Sequence, residues 1–261
     1  MSLAEAFAPL VDLVFPPRCP SCGEAIAAQD GLCTQCWAEL VIPGEPACAL
    51  CQRPFGGAAV GAGAVCAPCL AEPPRHDGVA AATLYNEASR KLVLAFKHGR
   101  RIALAPMLAR LIAARLPAME GAWLVVPVPL HPLRLWQRGY NQSALLAREI
   151  ARLRGARLLV DGLVRRKRTP VLGGLGKAAR ARALSGAIAV RPRCRALLKG
   201  AKVVLVDDVM TSGATSGACV GALRRAGAET VLVACFARVL DDALQLGPPT
   251  QNARGGPRAF A

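Results

Sequence analysis

From residue 79 onward, short apolar runs alternate with amphipathic segments of helical length. The strand-like runs are residues 79–85, 123–128, 158–164, 202–206 and 230–237. The helix-like segments are residues 87–98, 103–115, 142–154 and 215–226, and a glycine directly follows three of them. Residues 203–206 are Val and Leu without interruption, as expected of a strand buried on both faces. This alternation predicts an α/β domain with a mainly parallel, doubly wound sheet.

The pattern divides the chain into four segments. In residues 1–17, Leu3, Phe7, Leu10, Val11 and Val14 follow helical spacing, which predicts an N-terminal helix. Residues 18–74 are rich in Pro, Gly and Cys and lack periodicity, so they have little apolar core of their own. The α/β domain is expected over residues 75–240. The Pro, Gly and Arg content of residues 241–261 is typical of a disordered tail.

Neither a membrane span nor an export signal is expected. The apolar segment 102–119 is interrupted by Arg110 and Arg115, which is typical of an amphipathic helix. The first ten residues contain Glu5 and no Lys or Arg, so they lack the basic start of a secretory signal. These features favour a cytoplasmic protein.

Eight of the 11 cysteines form four Cys-x-x-Cys pairs. The pairs are Cys19/Cys22, Cys33/Cys36, Cys48/Cys51 and Cys66/Cys69. Two thiolates three residues apart on a tight turn can point at one ion, and two such pairs complete a tetrahedral sulfur shell. Because that shell leaves no open position, we expect two zinc ions with a structural role.

The spacing leaves the combination of the four pairs open. Sequential pairing, in which neighbouring pairs share an ion, is the simplest scheme, and an interleaved cross-brace is the alternative. Disulfides are a second interpretation, which a reducing cytoplasm disfavours. An iron–sulfur cluster is a third, since thiolates also bind iron.

Positive charge is concentrated in one stretch of the chain. The sequence has 33 Lys and Arg against 17 Asp and Glu, a formal net charge of +16. Residues 134–202 hold 18 of these cations and only two acids, Glu149 and Asp161. Such a stretch suits a phosphate-rich partner, either a small polyphosphate or nucleic acid. General solubility combined with a preference for arginine is the simpler alternative.

One segment joins a buried strand to a helix through a short polar loop. After the apolar run come Asp207, Asp208, Val209, Met210, Thr211, Ser212, Gly213, Ala214 and Thr215. Amides and hydroxyls at a helix N-terminus bind phosphate, and a glycine lets the backbone approach the anion. The two carboxylates can accept hydrogen bonds from sugar hydroxyls and help to hold Mg²⁺ through water. The segment therefore predicts a sugar-phosphate site; a generic strand–turn–helix with an Asp cap is the alternative.

This segment resembles the 5-phosphoribosyl 1-pyrophosphate (PRPP) motif of type I phosphoribosyltransferases. The matching features are the hydrophobic run, the Asp pair and the Thr-x-Gly-x-Thr loop. More widely, residues 12–240 resemble the ComF family, which includes ComF- and GntX-type proteins. That resemblance rests on the paired cysteines, Pro127-Val128-Pro129-Leu130-His131-Pro132, Arg138-Gly139-Tyr140-Asn141-Gln142, the PRPP motif and Ala237-Arg238. It implies a type I phosphoribosyltransferase-like fold behind a small zinc-ribbon module.

The resemblance also implies roles for residues outside the PRPP motif. Pro127, Val128 and Pro129 would face the pyrophosphate of PRPP, and Arg134 and Arg138 are candidates to neutralise it. Surface solvation is the alternative for both arginines.

The resemblance further implies a mobile basic flap between residues 165 and 188 that covers the substrate, and Arg168, Arg180 and Arg182 fit that flap. Leu172 replaces a Gln and Ala183 replaces an Asn of many relatives. Both changes remove hydrogen-bonding groups, which bears on turnover and acceptor choice more than on binding.

Two residues outside these motifs are expected at the surface. Lys97 ends the helix at 87–98, where it could reach an anionic ligand but has a simpler role in contact with solvent. His76 lies in the segment that follows the Cys-rich module and is expected to be exposed.

Three functions are compatible with these residues. The first is Mg²⁺-dependent transfer of ribose 5-phosphate from PRPP, or a related phosphosugar, to an unidentified acceptor. Its catalytic residues would be Asp207 and Asp208, which bind the ribose hydroxyls and help to place Mg²⁺. The second, implied by the ComF resemblance, is binding of single-stranded DNA in competence or DNA uptake. Competence or DNA-processing proteins would then be its partners, and PRPP would be a regulator or would not be used. The third is a non-catalytic scaffold whose zinc ribbons dock a partner.

Overall fold

A computed structural model describes residues 15–29, 31–56, 60–99, 101–167 and 186–240. The helix predicted for residues 1–17 lies outside these ranges except for residues 15–17, and the tail predicted for 241–261 lies wholly outside them. The flap positions Arg168, Leu172, Arg180, Arg182 and Ala183 are also outside the described residues.

The Cys-rich module contains two similar units. In each unit the first Cys pair lies inside a turn that a short antiparallel bridge closes, Arg18 to Ala25 in one unit and Ala47 to Pro54 in the other. The second Cys pair begins a short helix, α1 (Thr34–Ala38) in the first unit and α2 (Ala67–Ala71) in the second. The module is therefore a repeat of one local structure with cysteines at equivalent places.

The tight turn of each unit requires a left-handed residue directly after its first Cys pair. Gly23 takes this place in the first unit with a φ of 81°, and Gln52 takes it in the second with a φ of 55°. A left-handed conformation is uncommon for residues other than glycine. Gln52 has a contact that a glycine could not make, because its side-chain oxygen accepts a hydrogen bond from the amide of Val79.

The following domain is built on a parallel sheet. Its strands are β1 (Val79–Leu84), β2 (Trp123–Pro127), β3 (Arg157–Leu158), β4 (Leu163–Arg165), β5 (Ile188–Val190), β6 (Lys202–Met210) and β7 (Thr230–Arg238). Its helices are α3 (Glu87–Lys97), α4 (Ala105–Ala113), α5 (Pro132–Arg138), α6 (Gln142–Arg154), α7 (Arg195–Leu198) and α8 (Ala214–Arg225), with 3₁₀ turns at Ile102–Leu104 and Pro192–Cys194. Five strands pair in parallel in the order β1-β7-β6-β2-β3, while β4 and β5 form a separate antiparallel pair. The predicted mainly parallel sheet is confirmed.

Successive residues of β6 enter two different apolar cores. Val204 and Val206 pack with α3, α4 and α6 on one face of the sheet. Val203 and Leu205 pack with α8 and the β4–β5 pair on the other face. Burial on both faces explains why this strand is apolar without alternation.

The two central strands send their connections to opposite faces of the sheet. The connection after β2 leads to α6 on one face, and the connection after β6 leads to α8 on the other. Because β2 and β6 are neighbours, this divergence opens a crevice at their carboxyl ends. Ligands of open α/β sheets bind in such crevices.

The Cys-rich module packs against β1, which is an edge strand of the sheet. The carbonyl of Val41 accepts hydrogen bonds from the Leu84 amide at 2.7 Å and the Thr83 hydroxyl at 2.9 Å. Leu40 is buried in the core that α3 and α4 form. The module therefore covers a sheet edge that would otherwise expose unpaired backbone groups.

Two strand predictions are wrong or incomplete, and two short elements were missed. Residues 158–164 do not form one strand, because a turn at Gly162 separates β3 from β4 and the two strands belong to different sheets. The strand β5 and the helix α5 were not predicted, since both are short and α5 has no buried residue. The strand predicted for 202–206 continues to Met210.

Within the described ranges, no helix combines the length and the apolar character that crossing a membrane requires.

Candidate functional site

The acidic pair lies on β6 at the point where one neighbouring strand ends. The last residue of β2, Pro127, pairs with Val206. At Asp207, therefore, β6 is no longer paired with β2. On its other side β6 remains paired with β7 through Asp207 and Cys235. Both acids therefore border the crevice between β2 and β6, and Asp208 is only 9% exposed.

Hydrogen bonds hold both carboxylates in place. Asp207 Oδ1 accepts from the Ser143 hydroxyl at 3.2 Å and from the amide of Asp208 at 2.9 Å. Asp208 Oδ1 accepts from the Val209 amide at 2.7 Å, and its Oδ2 lies 3.0 Å from Lys97 Nζ. The pair is thus oriented before any ligand arrives.

The environment shifts the ionisation of Asp207 towards neutral pH. Burial, and next the adjacent charge of Asp208, raise the pKa of Asp207 to about 7. Lys97, the Asp208 amide and the Ser143 hydroxyl oppose that shift. The charge of the acidic pair therefore changes near pH 7.

The loop after β6 is open to solvent. Thr211 and Ser212 are exposed, and Gly213 adopts a left-handed conformation with a φ of 72° directly before α8. Ser212 and Gly213 also line a cavity of about 570 Å³ between α8 and the second Cys unit. An anion can therefore reach the loop and the first turn of α8, which contains Ala214 and Thr215.

The Pro-Val-Pro segment offers no free backbone donor. Pro127 and Pro129 lack an N–H group, and the amide of Val128 donates to the Val206 carbonyl at 2.9 Å. All three residues are buried. Contact between this segment and a pyrophosphate stays a prediction, and it would depend on residues farther along, such as the half-buried Arg134.

The segment of residues 138–142 ties together the elements around the crevice. Asn141 caps α6 and donates from Nδ2 to the Val128 carbonyl at 3.0 Å. Arg138 Nη1 donates to Gln142 Oε1 at 3.3 Å, so this pyrophosphate candidate already has a partner inside the protein.

The same segment also anchors the end of α3. The Tyr140 hydroxyl donates to the Phe96 carbonyl, and Gln142 Nε2 donates to the Lys97 carbonyl at 3.4 Å. These bonds fix the backbone from which the Lys97 side chain extends to Asp208. Lys97 is half-buried, so the expectation that it has a surface role is wrong.

Two more residues near the acidic pair were missed by sequence reasoning. Ser143 is the second residue of α6, and no motif singles it out. Arg165 ends β4 and is only 7% exposed. Burial, and next the charge of Arg134, lower the pKa of Arg165, while Asp207 raises it. A buried cation close to Asp207 shows only in the folded chain, because Arg165 lies just beyond the strand predicted over residues 158–164 and belongs to no motif.

The cysteines form two tetrads. Cys19, Cys22, Cys33 and Cys36 form one, and Cys48, Cys51, Cys66 and Cys69 form the other, with the sulfur atoms of each tetrad within 4.8 Å of one another. This grouping is the sequential scheme. Four sulfurs bound to one zinc ion at 2.3 Å would be about 3.8 Å apart. The Cys51–Cys66 distance of 3.8 Å fits that value, and it is too long for a disulfide.

The first cysteine of each tetrad favours the thiolate form that zinc binds. Burial raises the pKa of Cys48, but hydrogen bonds from the amides of Cys66, Cys51 and Leu50 outweigh it and lower the pKa to about 6. Cys19 has the same arrangement, and its pKa is also lowered to about 6. Both tetrads therefore fit a structural zinc ion.

The second Cys unit is joined to the end of β7. The Arg238 side chain is buried and donates to the carbonyl of Cys51. His76 is half-buried, and burial followed by the charge of Arg238 lowers its pKa to about 4. The expectation that His76 is exposed is therefore wrong, because the module packs on the domain.

Comparison with known proteins identifies both parts of the chain. Residues 10–74 match the double zinc ribbon domain family, and residues 144–249 match the phosphoribosyl transferase domain family. DNA utilization protein YhgH of Salmonella typhi is 32% identical over 235 residues, which cover 87% of this chain and 100% of that protein. Competence protein F of Haemophilus influenzae is 31% identical over 232 residues, which cover 85% of this chain and 96% of that protein.

Two further similarities are shorter or more distant. Adenine phosphoribosyltransferase of Beijerinckia indica is 49% identical over 47 residues, 18% of this chain and 26% of that protein. The structure of glutamine PRPP amidotransferase from B. subtilis has a TM-score of 0.34 and 25% identity. That match covers 49% of this chain, and the chain spans 25% of the length of that protein.

The matched domains account for the zinc-ribbon repeat and for the strand, loop and helix that contain the acidic pair. The curated relatives are similar along almost their whole length. The predicted fold class is therefore confirmed, and the chain belongs to the ComF family, in which a double zinc ribbon precedes a type I phosphoribosyltransferase domain.

Proposed function

We propose that this chain binds PRPP together with Mg²⁺ and transfers its ribose 5-phosphate unit to an acceptor. The observation that supports this proposal is the position of Asp207 and Asp208 in the crevice between β2 and β6, directly before an exposed loop and the start of α8. In the transfer, the bond from ribose C1 to pyrophosphate breaks and a bond from C1 to the acceptor forms with inversion. The acceptor loses a proton.

Each part of the site has a role in this proposal. Asp207 and Asp208 accept hydrogen bonds from the ribose hydroxyls. The loop of residues 211–213 and the amides at the start of α8 bind the 5-phosphate. Arg134 and Arg165 supply positive charge beside the crevice. Catalysis then comes mainly from charge stabilisation and from exclusion of water.

The acidic pair also suits a magnesium ion. Mg²⁺ prefers oxygen ligands and usually binds through one or two carboxylates while it keeps several waters. Asp207 and Asp208 provide two carboxylates on adjacent residues. When bound, the ion would neutralise part of the phosphate charge of PRPP.

Calorimetry with PRPP and Mg²⁺ tests the binding step. We expect the wild-type protein to bind, and we expect Asp207→Asn combined with Asp208→Asn to weaken binding by about a hundredfold or more, since each hydrogen bond to a charged group contributes about 1.5–3 kcal/mol. Asp161→Asn is the matched control because Asp161 is a surface acid paired with Arg193. Equal affinity of the double variant and the wild type would sink the proposal, as would a wild-type protein that does not bind.

Release of pyrophosphate tests the transfer step. The protein is incubated with PRPP, Mg²⁺ and a panel of nitrogen and oxygen nucleophiles, and pyrophosphate is measured. Release that depends on an acceptor would exclude a purely non-catalytic scaffold. Tight PRPP binding without release from any acceptor would instead favour a role for PRPP as a regulator.

Single-stranded DNA binding is a second candidate function, which the helix α5 favours. Trp136 on this helix is 84% exposed, and Arg134 and Arg138 lie on the same helix. An exposed aromatic ring is suited to stack on a base of a single strand. The names of the relatives, DNA utilization protein and competence protein, point in the same direction.

Fluorescence titration with an oligothymidine strand tests this candidate. We expect Trp136→Ala to weaken binding by about tenfold, since stacking of a base on an aromatic ring contributes about 1–3 kcal/mol. The affinity should also fall steeply between low and moderate salt. Trp37→Ala is the control because Trp37 is exposed on α1 of the zinc-ribbon module. DNA binding that responds neither to Trp136 nor to salt would contradict the assignment.

A further inference from the structure

In the protein without ligand, Lys97 forms an ion pair with Asp208, whose carboxylate a metal ion or sugar would contact. Its Nζ lies 3.0 Å from Asp208 Oδ2, and the two side chains are 23% and 13% exposed. The other oxygen of Asp208 accepts from the Val209 amide. In the protein without ligand, both carboxylate oxygens of Asp208 therefore have a partner.

A ligand at Asp208 must compete with this lysine. An ammonium group and a divalent cation are both attracted to the same carboxylate oxygen, and two cations so close together repel each other. Arg165, whose own pKa is raised by the charge of Asp207, adds further positive charge near the pair. Binding of a hydrated metal ion to Asp208 therefore requires that the Lys97 ammonium moves away.

Only the side chain of Lys97 has to move. The carbonyl of Lys97 accepts from Gln142, and the carbonyl of Phe96 accepts from Tyr140, so the backbone at the end of α3 is anchored. Phe96 itself is buried in the core. A lysine has four flexible methylene groups, so its ammonium can leave Asp208 while the helix stays in place.

We propose that Lys97 is an exchangeable counter-cation, which pairs with Asp208 in the free protein and yields it to the metal ion that accompanies a phosphosugar. The released ammonium then binds the phosphate groups of that ligand. Only this second half rests on the proposed function, since competition between Lys97 and a metal ion is a property of the protein without phosphosugar. Lys97 is thus a ligand-binding residue of the crevice, although it follows from no motif.

The proposal predicts opposite changes in two affinities when the ammonium is removed. We expect Lys97→Met to bind Mn²⁺ alone about tenfold more tightly than the wild type, because the competing charge is gone. The same variant should bind PRPP with Mg²⁺ about tenfold more weakly, because a charge-assisted contact to phosphate is lost. Free Mn²⁺ is measured by electron paramagnetic resonance at pH 8.5, and PRPP binding is measured by calorimetry.

Two further variants keep the test decisive. Lys91→Met is the matched control, since Lys91 lies on the same helix with an exposed side chain, and both affinities should equal those of the wild type. Lys97→Gln removes the charge but keeps a polar side chain, and it replaces Lys97→Met if the latter has a clearly lower unfolding temperature. It should show the same opposite changes.

Each remaining outcome overturns a defined part of the inference. Mn²⁺ affinity that is unchanged or weaker in the Lys97 variants rules out competition for Asp208. PRPP affinity that is unchanged in them rules out contact between Lys97 and the ligand. If the wild type binds Mn²⁺ but no PRPP, the proposed function fails together with the phosphate half of the inference, while the Mn²⁺ comparison still decides the exchange.

Discussion

The hydroxyl of Ser143 donates a hydrogen bond to Asp207 Oδ1 at 3.2 Å and so joins the start of α6 to the acidic pair on β6. Ser143 is buried, and it directly follows Gln142, the residue that holds the carbonyl of Lys97. One end of α6 therefore controls the surroundings of both acids, Asp207 directly and Asp208 through Lys97.

Removal of the Ser143 hydroxyl should shift the pH dependence of ligand binding. The hydroxyl stabilises the ionised form of Asp207, so Ser143→Ala should raise the pKa of Asp207 above its value of about 7. PRPP and Mg²⁺ bind the ionised acid in our proposal, so the midpoint of the rise in affinity with pH should move to higher pH. At pH 7 the loss should be about 1 kcal/mol, which is about fivefold in affinity. Calorimetry between pH 6 and 8.5 measures the midpoint of the pH dependence and the affinity at pH 7. An unshifted midpoint would mean that the hydrogen bond from Ser143 does not affect the ionisation of Asp207.

Asp207 should also make the folded state less stable as pH rises. Its pKa is raised from an ordinary value of 3.8 to about 7, so between these values the folded state binds a proton that the unfolded state has lost. The free energy of unfolding should therefore fall with rising pH by up to about 1.4 kcal/mol per unit from this group, and level off above pH 7.

Asp207→Asn tests this contribution because it removes the titrating group. The difference in unfolding free energy between variant and wild type should grow in favour of the variant from pH 5.5 to 8. Urea unfolding at each pH gives that difference, and contributions from groups that do not interact with Asp207 cancel in the comparison. A difference that does not depend on pH would contradict the raised pKa.

Two glycines of α8 and its preceding loop should respond oppositely to alanine. Gly213 has a φ of 72°, and a Cβ there would lie 3.1 Å from Met210 Cε, so Gly213→Ala should destabilise the loop by about 1 kcal/mol or more and weaken PRPP binding. Gly217 lies within α8, and a Cβ there would meet nothing within 4 Å, so Gly217→Ala should stabilise the protein by about 0.5–1 kcal/mol. Denaturant unfolding measures both stabilities, and calorimetry measures binding. Equal effects of the two substitutions would show that the left-handed conformation at Gly213 is not required.

Metal removal should make eight thiols reactive and leave three protected. We expect two zinc ions per chain, as a colorimetric metal assay would show after release with a thiol-blocking reagent. A strong chelator should expose the two tetrads to that reagent. Cys194, Cys219 and Cys235 are buried in the core and should react only after denaturation; burial also raises the pKa of Cys219 and Cys235.

Cys219→Ser is the control for the thiol experiment, because it should keep both zinc ions and lower only the thiol count of the denatured protein by one. Fewer than two ions per chain would contradict the structural assignment of both tetrads. Thiols that stay unreactive after chelation but appear after reduction would indicate disulfides.

Features that depend on neighbouring residues could be predicted from the sequence. The apolar run before Asp207 indicates a strand buried on both faces, because each face of that strand meets helices. The four Cys-x-x-Cys pairs indicate metal binding, because a tight turn directs two sulfurs to one point. The order of strand, polar loop and helix at Gly213 indicates an anion site, because helix N-termini expose unpaired amides. Each of these signals lies within a few residues of the chain.

Short elements with weak periodicity could not be predicted in this way. The run 158–164 contains enough apolar residues for one strand, but nothing in that count shows the turn at Gly162 that separates β3 from β4. Arg165 directly follows that run and was given no role of its own, although the structure buries it at the end of β4. The helix α5 is exposed on all sides, so it has no apolar stripe that would indicate it.

The sequence by itself determined that this chain has four Cys pairs suited to zinc, a parallel α/β domain and a loop suited to a sugar phosphate, because local spacing and periodicity encode all three. Only the tertiary structure decided that the Lys97 ammonium pairs with Asp208 and that the Ser143 hydroxyl donates to Asp207. Ser143 and Asp207 are 64 residues apart in the chain, and Lys97 is farther still from Asp208. Their contacts depend on how α3 and α6 pack against one face of the sheet, and no local pattern specifies that packing.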